Sequence, residues 1–140
     1  MVKVGINGFG RIGRWILRAI LENYKNKIQV VAINDLGSIE TNAHLIKYDS
    51  THGIINEDIH TSKNGFKIGN QEIKVFAEKD PAKIPWGKVG ADVVLECTGI
   101  FLDKLSAEKH SNTYACSNSG YKYFKEKSPK RITIHISCFI

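Results

Sequence analysis

The chain has 140 residues, 42% of them hydrophobic and 24% charged, which is enough for one domain with a real core and little more. No run approaches the ~18 apolar residues of a membrane span, and the first residues lack the apolar core of a signal peptide, so a cytosolic protein is expected. The net charge of +6 does not imply nucleic-acid binding: residues 1–110 carry 15 Lys and Arg against 13 Asp and Glu, while residues 111–140 carry five against one. A basic face would be spread over the fold with interleaved aromatics.

The chain opens on an apolar run, Lys3 to Asn7, that reads as a short buried strand and empties into Gly8-Phe9-Gly10-Arg11-Ile12-Gly13. In such a turn the first glycine allows the tight reversal. The second lets a pyrophosphate approach bare backbone, and the third lets helix and strand pack closely. After it, Ile12, Ile16, Leu17, Ile20, Leu21 and Tyr24 form one stripe at helical spacing, so a helix starts at the turn with its amino end toward any bound phosphate. Ile28 to Asn34 reads as a second buried strand and delivers Asp35, 22 positions past Gly13. A dinucleotide fold places there the carboxylate that takes the adenosine ribose hydroxyls and repels the extra phosphate of NADP.

Ser38 to Tyr48 reads as a helix capped by Ser38, stopped by the polar cluster Tyr48 to Gly53. Gly65 to Ile68 and Gln71 to Phe76 alternate around Gly69-Asn70, a hairpin inserted as antiparallel pieces between the second and third parallel strands. Pro81 to Ile84 is expected to make one helical turn, and Pro85-Trp86-Gly87 a loop. Ala91 to Gly99 has a central-strand pattern, which puts Thr98 and Gly99 beside the glycine turn, and Asp103 to His110 begins another helix. The expected fold is α/β: a partial Rossmann, doubly wound parallel sheet with an antiparallel hairpin.

The remaining candidates read as structural. Cys97, Cys116 and Cys138 show no C-x-x-C, and the five histidines show no ligand spacing, so neither a disulfide framework nor a metal site is expected. Cys97 reads as a packed thiol, His52 as shaping a loop, and Trp15 and Trp86 as core or a covered edge.

With these residues laid out, the chain resembles the N-terminal part of glyceraldehyde-3-phosphate dehydrogenases. The matching stretches are Val4-Gly-Ile-Asn-Gly-Phe-Gly-Arg-Ile-Gly-Arg14, Ile33-Asn-Asp35, Tyr48-Asp-Ser-Thr-His-Gly53, Phe76-Ala-Glu-Lys-Asp-Pro81, Pro85-Trp-Gly87 and Glu96-Cys-Thr-Gly-Ile-Phe101. The resemblance implies NAD as cofactor, with contacts from Gly8, Phe9, Gly10, Arg11 and Ile12 at the pyrophosphate, and with Gly13 closing the turn. It implies Asn34 and Asp35 at the adenosine ribose, and Lys79, Thr98, Gly99 and Phe101 around the adenine. Lys79 stands where the family often has arginine, which keeps the charge and loses a planar stacking surface.

The chemistry the resemblance implies is glycolytic: a cysteine thiolate attacks an aldehyde, hydride passes to the nicotinamide, and phosphate releases the acyl group. The family's Ser-Cys-Thr-Thr-Asn-Cys helix start is not in this sequence. No catalytic residue is therefore assigned, and the catalytic domain and most contacts of the family's homotetramer are expected to be missing. The resemblance covers residues 1–110, the NAD-binding part; residues 111–140 form a basic tail that departs from it, read as out-of-frame translation or as a replacement terminus. Arg131 to Ile140 alternates and could form a strand, and Cys138 has no following helix start to activate it. Three readings follow: an inactive NAD-binding piece of the enzyme (an erythrose-4-phosphate dehydrogenase shares these motifs), a non-catalytic nucleotide-binding module, or a partner- or nucleic-acid-binding product working through its tail.

Overall fold

In a computed structural model that describes residues 1–101, the expected glycine turn joins β1 (Val2–Asn7) to α1 (Arg11–Ala19). A π-helical turn, Ile20–Tyr24, extends α1 and leads to β2 (Ile28–Asn34). Then follow α2 (Ile39–Lys47), a two-stranded ribbon of β3 (Tyr48–Asp49) and β4 (Gly53–Ile54), and β5 (Ile59–Ser62), β6 (Gly65–Ile68) and β7 (Gln71–Phe76). A 3-10 turn, Pro81–Lys83, precedes β8 (Val93–Glu96). The expected strand at Arg131 to Ile140 and helix from Asp103 lie outside the described residues.

The main sheet runs β5-β6-β7-β2-β1-β8. Four of its strands, β7-β2-β1-β8, are wholly parallel, because β1 pairs in parallel with both β2 and β8 and β2 pairs in parallel with β7. One hairpin leg thus differs from its sequence reading. Gln71–Phe76 is antiparallel to β6 but joins β2 through Ala32↔Lys74, Ile33↔Val75 and Asn34↔Phe76, so it is itself the third parallel strand. β5, which has no expected counterpart, extends the hairpin at the outer edge. Its Ile59-His-Thr-Ser sequence is mostly exposed and carries no apolar alternation to announce it.

Side chains of successive strand residues point to opposite faces, and the two faces are filled differently. On one, Val4, Ile6, Val93 and Leu95, joined by Val30 and Ile33 because the β1–β2 register skips Val31, meet Leu17, Ile20 and Leu21 of the first helix and Ala43 and Ile46 of α2. The stripe on α1 ends one residue early in packing terms, since Tyr24 is 49% exposed. On the other face, Ala32 and Val94 meet Ile84, Trp86 and Ala91 from the chain before β8. Trp86 is fully buried there because residue 5 is glycine: a Cβ at Gly5 would lie 2.7 Å from the indole ring.

α2 starts as its sequence suggests, with the Ser38 hydroxyl accepting the Thr41 amide at 3.1 Å. Its end is held by a device with no local sequence signal. Arg18 of α1 is 3% exposed, and its Nη2 donates to the carbonyls of Ile46 (2.8 Å), Lys47 (3.2 Å) and Gly53 (2.8 Å). A cation thus sits at the carbonyl end of α2, where the helix dipole favours it, and binds both helices to the β3–β4 ribbon. Replacing Arg18→Met should lower unfolding free energy by about 2 kcal/mol, because carbonyls that accepted from a charged donor lose it; the midpoint of a urea titration reads this directly.

Candidate nucleotide-binding site

The four parallel strands end along one line, and everything in the candidate site hangs from those carboxyl ends. Gly8 follows β1, Asp35 follows β2, Ala77 to Lys79 follow β7, and Cys97 to Phe101 follow β8. In an open α/β sheet this is where ligands lie.

The three glycines of the turn meet three different constraints. Gly8 has φ +87°, and a Cβ on it would lie 2.7 Å from the Thr98 amide nitrogen. A Cβ on Gly13 would collide with the Gly8 carbonyl oxygen, so the helix can approach the turn only without one. Gly10 is the opposite case: nothing lies within 4 Å of where its Cβ would be. It is also the N-cap of α1 and offers no side-chain acceptor, so the first-turn amides face outward with the positive end of the helix dipole. The site is therefore closed at Gly8 and Gly13 and open at Gly10.

Phe9 divides its roles. Its ring is buried against Phe66, with ring centroids 6.2 Å apart, while its amide donates to Asp35 Oδ2 at 2.9 Å. The second carboxylate oxygen of Asp35 accepts the Gly37 amide at 2.8 Å. Asp35 is thus fixed beside the glycine turn, and a carboxylate has lone pairs left for further donors. Arg14 adds a brace, donating from Nη1 to the Phe9 carbonyl at 3.0 Å. Ile12 is half-buried and Arg11 is exposed.

Asn34 sits at the same edge but its side chain is used internally. Its Nδ2 donates to Asn7 Oδ1 (2.8 Å) and to the Glu78 carbonyl (2.9 Å), and its Oδ1 accepts the Glu78 amide (2.9 Å). It holds β1, β2 and the end of β7 together. Lys79 and Gly99 are exposed, and Thr98 and Phe101 are partly exposed. Asn7 and Glu96, buried at 1% and 4%, were not among the residues singled out by sequence. They look like ordinary strand-end polars, and only the parallel register of β1 and β8 brings them together.

Cys97 is a partly buried thiol beside this edge: loss of solvation, with the Glu96 carboxylate next to it, pushes its pKa up to about 12. It stays protonated and non-nucleophilic at neutral pH. His52 shapes a loop. Its amide (2.8 Å) and that of Thr51 (2.9 Å) donate to Asp49 Oδ1, its ring lies 3.2 Å from the same oxygen, and the Trp15 indole donates to Oδ2 at 3.3 Å. Led by the His52 amide, these donors hold the Asp49 carboxyl well below the usual carboxylate range. This support is present above the ordinary value of 3.8 and is lost as pH falls below it toward the folded-state value. Among the described residues no group of three His, Cys, Asp or Glu could hold a metal, and no helix is long and apolar enough to cross a membrane.

Parallel strands β7-β2-β1-β8, a glycine turn entering α1 and an acidic residue after β2 define a dinucleotide-binding domain of the Rossmann type. The family described as glyceraldehyde 3-phosphate dehydrogenase, NAD binding domain, matches residues 2–104. The chain is 52% identical over 110 residues to glyceraldehyde-3-phosphate dehydrogenase 1 of Bacillus cereus, covering 79% of this chain and 32% of that protein. The enzyme of Clostridium pasteurianum is 56% identical and that of Clostridium acetobutylicum 54%, over the same shares of each chain. The chain belongs to the glyceraldehyde-3-phosphate dehydrogenase family, and its matched part is that family's NAD-binding domain. It spans about a third of the length of the curated relatives it matches.

The contrast among glycines gives a direct test. Gly13→Ala should destabilise the fold by ~1–3 kcal/mol or more through overpacking against the Gly8 carbonyl. Gly10→Ala should leave the thermal midpoint within a degree or two, yet weaken nucleotide binding, because its methyl group points into open space. A large loss of stability for Gly10→Ala, seen by circular dichroism, would contradict the open face. A second test concerns Cys97: in a C116S/C138S background it should resist iodoacetamide at pH 8 and react once the protein is unfolded in urea.

Proposed function

We infer that residues 1–101 hold the adenosine-diphosphate half of NAD. The observation that carries this reading is the Phe9–Asp35 bond. It puts a carboxylate suited to ribose hydroxyls next to a turn whose open face, at Gly10, lies at the amino end of α1. The pyrophosphate would take the amides of Gly10, Arg11 and Ile12, since the Phe9 amide is given to Asp35. Asp35 would take the ribose hydroxyls and disfavour a 2′-phosphate. Lys79, Thr98, Gly99 and Phe101 would border the adenine. Asn34 serves by holding this edge together.

In the longer proteins of the family the nicotinamide half would meet a cysteine nucleophile and a base, and the substrate would be a phosphorylated aldehyde. The 140-residue chain by itself is assigned no turnover. Cys97, the cysteine among the described residues, is kept as a thiol by burial, and the Ser-Cys-Thr-Thr-Asn-Cys signature is absent from the sequence. Homotetramer formation belongs to the same proposal for the longer proteins. The tail from residue 111 has no role in it.

Calorimetric titration of the purified chain should give a Kd for NAD of ~mM, with ADP competing almost equally, because the contacts come from the adenosine half. Asp35→Ala should weaken both about tenfold and narrow the gap between NAD and NADP. A micromolar Kd for NAD with strong preference over ADP would sink the half-site reading. Measurable NAD reduction with glyceraldehyde 3-phosphate and phosphate would sink the assignment of no turnover.

A further inference from the structure

A series of buried polar side chains crosses the carboxyl edge of the sheet in one electronic direction. The Glu78 amide donates to Asn34 Oδ1, Asn34 Nδ2 donates to Asn7 Oδ1 at 2.8 Å, and Asn7 Nδ2 donates to Glu96 Oε2 at 2.6 Å. From the other side the Thr98 amide donates to Glu96 Oε1 at 2.8 Å, and the Thr98 hydroxyl donates to the same oxygen. Glu96 therefore accepts from both directions, a task for which a carboxylate is suited and a carboxamide is not. The Thr98 segment it holds is the one that packs against Gly8, where a Cβ would lie 2.7 Å from the Thr98 nitrogen.

We propose that Asn7 and Glu96 are positioning residues of the nucleotide site: their bond clamps the segment after β8 against the glycine turn after β1 and so sets the width of the crevice between them. The link to nucleotide affinity rests on the function proposed above; the clamp itself does not. Both residues act through others, since Asn7 is turned to Glu96 and Asn34, and Glu96 to Asn7 and Thr98.

The polarity supplies the test. In Glu96→Gln, whichever way the carboxamide is turned, its NH2 meets either the Asn7 Nδ2 or the Thr98 amide, donor against donor. Adding Asn7→Asp restores the pattern, because the new carboxylate at position 7 can accept from both Asn34 Nδ2 and the carboxamide at 96. The full chain and both variants are compared, each at a temperature where circular dichroism shows it folded, by ADP titration calorimetry and by hydrogen exchange of the Thr98 amide. Glu96→Gln should bind ADP roughly tenfold more weakly and exchange the Thr98 amide at least tenfold faster, and the double variant should recover most of both losses. Destabilisation alone would lower the thermal midpoint without changing the affinity of folded protein.

Unchanged ADP affinity and Thr98 protection in Glu96→Gln, or a double variant no better than the single one, would overturn the proposal. Should neither variant fold, the unaltered chain decides. Thr98 exchanging as slowly as Cys97, whose amide is bonded to the Asn7 carbonyl at 2.7 Å, upholds the clamp, and exchange as fast as Gly99 overturns it. If the unaltered chain binds no ADP, the function proposed above fails, and the clamp is judged on the Thr98 amide.

Discussion

The structure depends on the parallel register that brings four strand ends to one line. Asn7, Asn34 and Glu96 are buried there, and buried polar groups are tolerated only when hydrogen-bonded. Their partners come from different strands, so the edge is stable only if β1, β2, β7 and β8 stop where they do. A slip of one residue would turn each of these side chains to the other face and leave its partner unpaired. The same register sets Asp35 beside Phe9 and Thr98 beside Gly8. The geometry of the candidate site is thus a by-product of satisfying the interior.

The sequence announced the parts of this arrangement that are local. The glycine turn, the helix it opens, the Ser38 cap and the buried runs of β1, β2 and β8 all have patterns carried by residues a few positions apart. What it did not announce depends on partners distant in sequence. Asn7 and Glu96 are 89 positions apart and have no motif in common. Arg18 reads as a charge on a helix surface, yet it is buried because the last carbonyls of α2 need a donor. β7 reads correctly as one leg of a hairpin, and no local signal tells that its other edge is paired in parallel to β2.

Asn34 shows how a resemblance and a structure can divide the same residue. Motif matching places it at the adenosine ribose, next to Asp35. The geometry gives its side-chain amide and carbonyl to Asn7 and Glu78, whereas the neighbouring Asp35 carboxylate takes the Phe9 and Gly37 amides, so the two residues brace different parts of the same edge. A bracing residue and a residue expected to touch a ligand can share one motif, because both must stay where the strand ends. Sequence patterns alone do not separate them.

The pairing of β1 with β8 also bears on the order in which contacts are expected to form. The two strands meet across nearly the whole described chain, while β5, β6 and β7 form from neighbours. Closing the longest loop costs the most chain entropy and gives nothing back until the strands meet, so local hairpins form early and this pair late. On a ribosome, the hairpin can assemble while the wall formed by Thr98 is still inside the exit tunnel. Among the described strands the crevice comes into being only with β8, so a nucleotide can stabilise the assembled edge but cannot guide the earlier steps of its assembly.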